Sequence, residues 1–150
     1  MMDERLLPDQ ITYAHVAILN TGNGRIVAGV RLSKRDPSVE GTVWYEPYAV
    51  LSLHYDERDT KTITMRQVIP LMIKDIIRNV DSRTKFVVIR GNAPHFQRYR
   101  QYEQHVRLFA ESCNVGIRMT WKPNIENRIP ELKELANDAL RRGESLVSSI

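Results

Sequence analysis

The chain has 150 residues, 42% of them apolar and 27% charged, with a formal net charge of +4, which suits one ordered domain and argues against disorder. No run reaches the roughly 18 to 20 apolar residues of a membrane span, and Met1-Met2-Asp3-Glu4-Arg5 lacks the basic-then-apolar pattern of a secretory leader. A lone cysteine, Cys113, excludes a disulfide framework or thiolate zinc cluster, so the chain is expected to be soluble and intracellular, cytoplasmic or nuclear, with Cys113 a small core hydrophobe.

Residues 1–10 read as a short N-terminal arm. Ile11 to Leu19 is apolar and β-favouring, Thr21-Gly22-Asn23-Gly24 is a turn, and Arg25 to Ser33 alternates. The two runs make a hairpin, because Asn-Gly supplies the positive φ of a tight turn. Lys34 to Gly41 reads as a polar loop and Thr42 to Tyr55 as a third strand. Pro47 has no N–H to give a ladder, which implies an edge or a bulge. Ile69, Met72, Ile73 and Ile76 recur at helical spacing over Met65 to Val80. Thr64 and Gln67 have capping-box spacing at its start, and Pro70 implies a kink or a later start.

Phe86-Val87-Val88-Ile89 is the continuous apolar run of a strand buried on both faces, within Lys85 to Arg90. A second helix begins near Pro94, with Phe96, Tyr99, Val106 and Phe109 on one face, and ends near Cys113. Val115 to Trp121 reads as a fifth strand. Glu126 to Arg142 reads as a last helix with Pro130 in its first turn, a stripe of Leu132, Leu135, Ala136, Ala139 and Leu140, and Gly143 as C-cap. Residues 144–150 are expected to fray. The order β-β-β-α-β-α-β-α implies an α/β domain over residues 11–143, a five-stranded mixed sheet flanked by helices.

Between Arg83 and Arg107 stand six basic residues and one acid, Glu103, together with His95, His105, Phe96, Tyr99 and Tyr102. Cations interleaved with aromatics can hold phosphates and stack bases, although a solvated helix face has the same composition.

The order of elements resembles that of the ribonuclease H-like superfamily, which includes the PIWI branch, and the resemblance runs from about Ile11 to Gly143. It implies two divalent metals about 4 Å apart, held by carboxylates, cutting a phosphodiester. The carboxylates would come from the first strand, the first helix, the end of the fourth strand and the last helix. Tyr13-Ala14-His15-Val16-Ala17 is similar to the first-strand pattern with His15 in the aspartate's place. Met65-Arg66-Gln67-Val68 carries Gln67 for the helix glutamate, and Val88-Ile89-Arg90-Gly91-Asn92 carries Asn92 for the strand-end aspartate, or Gly91 in the PIWI register. Glu134-Leu135-Ala136-Asn137-Asp138 carries Asn137, with Asp138 one residue on. The first three also have a plain structural use: His15 as a polar sheet residue, Gln67 as the partner of Thr64, and Asn92 in a strand-to-helix turn. Uncharged amides cannot offset two divalent charges, so the resemblance implies a relative that keeps the scaffold without the cutting centre and needs no cofactor.

Three functions follow as expectations. The first is a nucleic-acid-binding module for RNA, DNA or a hybrid, with Arg90, Arg98, Arg100 and Lys122 as phosphate contacts. The second is an active Mg²⁺- or Mn²⁺-dependent nuclease with relocated acids, drawn from Asp56, Glu57, Asp59, Glu134 and Asp138. The third is a protein adaptor or homo-oligomer presenting Trp44, Tyr45, Tyr48 and Tyr55. No phosphate loop, dinucleotide fingerprint or nucleophile elbow is present, and His15, His54, His95 and His105 lack zinc-ligand spacing.

Overall fold

Runs of small and β-branched residues take the first third of the chain into a sheet. The computed structural model describes residues 6–36 and 44–150. Strands β1 (Ile11–Asn20), β2 (Ile26–Asp36) and β3 (Trp44–Tyr55) form an antiparallel meander. Helix α1 (Met65–Asn79) crosses over to β4 (Phe86–Gly91). A 3-10 turn (Pro94–Arg98) and α2 (Tyr99–Ser112) lead to β5 (Gly116–Trp121). Then come a single helical turn, α3 (Ile125–Arg128), the longer α4 (Glu131–Arg142) and a final strand, β6 (Leu146–Ser149). The result is an α/β fold on one mixed sheet, ordered β5-β4-β1-β2-β3-β6, in which β1, β4 and β5 run parallel.

Strand alternation assigns the two faces. Ala14, Val16 and Ile18 of β1, Ile26, Ala28, Val30 and Leu32 of β2, and Val87 and Ile89 of β4 pack with Val68, Ile69, Met72, Ile73 and Ile76 of α1 and Val106 of α2 in the main core. On the other face, Ala17 meets Ile125 and Leu132, and Val27 meets Ala136 and Ala139. Small residues let α4 lie close. A Cβ at Gly29 would collide with the Leu132 carbonyl oxygen, and Ser52 donates its hydroxyl to the Leu135 carbonyl.

Several boundaries differ from expectation, each for a local reason. The sheet has six strands because residues 144–150, expected to fray, supply β6. Gly143 at φ +74° stops α4, and the Ser145 hydroxyl takes the His54 N–H at 2.9 Å. Leu146–Ser149 can then pair with the open edge of β3. Lys34 to Asp36, read as loop, instead extend β2 against Trp44 to Glu46, while the rest of that loop, Pro37 to Gly41, lies outside the described residues. Of the edge or bulge that Pro47 implies, a bulge stands beside it: Leu32 faces Ala49 and Ser33 faces Pro47, which leaves Tyr48 as the extra residue. Helix α1 starts at Met65 and continues through Pro70. The Thr64 cap holds that start, and the Arg66 carbonyl forgoes its usual partner.

Glu126 to Arg142 is not one helix. Pro130 disfavours helical geometry at Ile129, whose φ of −128° separates α3 from α4. Cys113, expected in the core, is exposed. It caps α2, and Asn114 at φ +57° turns the chain so that Val115 is buried instead.

Candidate functional site

His15, Gln67, Asn92 and Asn137, the four positions compared with carboxylates in the sequence resemblance, lie on β1, the start of α1, the turn after β4, and α4, and no hydrogen bond or ring contact among the described residues joins any two of them. Gln67 is exposed, and its Oε1 accepts the hydroxyls of Thr62 at 2.8 Å and Thr64 at 3.1 Å, completing the cap of α1. Asn92 lies where β4 ends; its Oδ1 accepts the Ile18 N–H at 2.8 Å, and its carbonyl accepts the Trp121 indole N–H at 3.1 Å. Asn137 is half-buried on α4 beside Ala136. His15 is buried on the face of β1 that carries Ala17 toward α3 and α4, with the Tyr45 ring beside it.

The four candidate phosphate contacts divide between two places. Arg98 ends the 3-10 turn after β4, Arg100 stands in the first turn of α2, and Lys122 follows β5; all three are exposed. The Lys122 N–H donates to the Gly91 carbonyl at 2.8 Å, which ties the ends of β4 and β5 together. Open parallel sheets bind ligands outside the carboxyl ends of their strands, and these cations stand there. Arg90 is elsewhere. It points to the opposite face from Ile89, its guanidinium 5.1 Å from the Tyr13 ring and bonded to the Tyr45 hydroxyl at 2.7 Å.

The relocated acids do not converge. Asp56 binds Arg58, which holds its carboxyl down at about 2, and the Asp59 carboxylate accepts the Asp56 N–H within the same turn. Asp138 pairs with Arg141 one turn along α4, and Glu134 is exposed. Among the described residues no cluster of three His, Cys, Asp or Glu could hold a metal. Of the aromatics offered as an adaptor surface, Tyr55 is buried and donates to Asp75 at 2.6 Å, and the Tyr48 hydroxyl bonds Thr12 at 2.9 Å. The side chain of Trp44 lies outside the described residues, as does that of Tyr99.

A second constellation, which sequence patterning did not single out, occupies one lateral row of the sheet. His15 pairs with Arg31 on β2 and with Arg90 on β4, so all three side chains leave the same face. The Tyr45 ring reaches over from β3 to within 5.1 Å of the His15 ring and 4.9 Å of Tyr13. Among the described residues, the apolar packing of α3 and α4 falls on Ala17, Val27 and Gly29, beside this row. Burial first, then the charges of Arg90 and Arg31, push His15 down from 6.5 to about 4. Among the described residues, buried His15 Nδ1 and Arg31 Nε have no hydrogen-bond partner. The available signal was Arg31 itself, a cation midway along a strand that is otherwise apolar from Ile26 to Leu32.

No protein-family model, curated protein or solved structure matches this chain. No helix among the described residues is long and apolar enough to cross a membrane.

Proposed function

We propose that the protein is a ribonuclease H-like module that binds nucleic acid (RNA, DNA or a hybrid) without two-metal cleavage. An antiparallel meander followed by two parallel crossover strands is the arrangement the sequence resemblance implies, with β6 an addition at the far edge. The observation that carries the binding reading is the exposed set Arg98, Arg100 and Lys122 at the carboxyl ends of β4 and β5. Its cations would track a phosphate backbone. The uncharged residues at the four former acid positions support binding without cutting. Gln67 and Asn92 have their amide oxygens committed to hydrogen bonds within the fold.

Fluorescence anisotropy with single-stranded, duplex and hybrid probes tests this reading. Arg98→Ala with Arg100→Ala should weaken binding and flatten the dependence of log affinity on log salt. On a single strand the slope should fall by about 0.7 for each phosphate no longer neutralised. Unchanged affinity in the double variant would overturn the reading. So would Mg²⁺- or Mn²⁺-dependent cleavage abolished by Asp138→Ala, which would instead establish the relocated-acid nuclease.

A further inference from the structure

We propose that the row Arg31, His15 and Arg90, on the part of the sheet beside the apolar packing of α4, binds one phosphate oxyanion. Neighbouring strands are about 4.8 Å apart, so the two arginine backbones stand about 10 Å apart on either side of His15. Two guanidinium forks rooted at that separation can converge on one tetrahedral group from both sides. Among the described residues neither arginine has a carboxylate partner within salt-bridge distance, and the buried carboxylate oxygen of Glu126 on α3 bonds to neither.

What surrounds the cations is aromatic. Arg90 lies over Tyr13 and Tyr45 at 5.1 and 5.9 Å and donates one Nη1 N–H to the Tyr45 hydroxyl at 2.7 Å, which fixes the guanidinium and directs its other N–H groups to oxygens in its plane. At the floor of the row, His15 is 4% exposed, and among the described residues its Nδ1 and the buried Arg31 Nε have no hydrogen-bond partner. Buried polar atoms are nearly always satisfied, so three strands that converge two such atoms and two positive charges describe a site completed by a guest. The oxygen count selects phosphate. A carboxylate has two oxygens and one charge, enough for one fork, whereas phosphate offers oxygens to both forks and to the imidazole.

The phosphate could arrive as free orthophosphate or as the monoester of a nucleotide, whose base would have Tyr13 and Tyr45 beside it. Isothermal titration with sodium phosphate and with adenosine 5′-monophosphate, in chloride buffer at fixed ionic strength, separates the two sources. Binding of phosphate alone identifies the free ion, and tighter binding of the nucleotide identifies the monoester. Arg31→Gln and Arg90→Gln should each weaken the bound form about tenfold or more, and the ring ¹⁵N signals of His15 should shift on titration. The phosphate-free melting temperature of Arg31→Gln should hold or rise, because a charge repelled by Arg90 is removed. A fall in that temperature with phosphate affinity unchanged would make the arginines structural and overturn the site. So would the absence of saturable binding of either probe at about 50 mM. Arg98→Ala with Arg100→Ala should leave this affinity intact, so the site stands or falls apart from the nucleic-acid reading.

Discussion

Acidifying the solution from pH 7 to pH 4 should reveal His15 through the stability of the fold. In the unfolded chain this histidine takes up a proton near 6.5, whereas in the native protein it stays neutral until about 4. Between those values the unfolded state binds more protons, so stability falls as the pH falls, and it levels off below about 4 once both states are charged. The interval is about 2.5 pH units at 1.36 kcal/mol each, giving a loss on the order of 3 kcal/mol. The cause is a ring buried under Tyr45, with Arg31 and Arg90 on either side. Urea denaturation of the wild type and of His15→Gln, in phosphate-free buffers at several pH values, isolates this residue from every other titrating group. Glutamine does not ionise, so the difference between the two proteins should swing toward the variant by about 3 kcal/mol across the window. Parallel curves for the two proteins, with no swing, would refute the reasoning.

Two further substitutions test the packing that positions this row. Gly29→Ala would drive a Cβ into the Leu132 carbonyl and should cost about 3 kcal/mol in urea denaturation, with α4 displaced. Tyr55→Phe removes the hydroxyl that donates to Asp75 at 2.6 Å and should cost about 1.5 kcal/mol, read as a lower denaturation midpoint at unchanged slope.

The sequence was most legible where one residue type has one structural meaning. Asn23-Gly24 marked the first hairpin, Pro47 the bulge, Thr64 the start of α1 and Gly143 the end of α4. It was less legible where tertiary pairing overrode local preference. Strand β6 has a fully exposed side-chain pattern, so no periodicity announces it; its backbone is held by the edge of β3. Pro130 fits a first helical turn, yet the restriction on the residue before it decides where the helix breaks. The site followed the same logic. Element order alone put the basic window on the fourth strand and second helix, beside the strand ends. The meeting of Arg31 with Arg90 across His15 depends on two registers, one antiparallel and one parallel, that no local pattern encodes.

Asn92 has a consequence for how anything docks at the carboxyl end of the sheet. Its amide oxygen continues the β1–β4 pairing past the last backbone pair, and its carbonyl fastens the Trp121 indole on β5, so three strands are stitched together where loops commonly breathe. A margin so laced has little configurational freedom left to surrender, and a guest meeting it forgoes the penalty of ordering loops. Encounter there would be governed by charge attraction and the shedding of water, and so by the ionic strength of the medium.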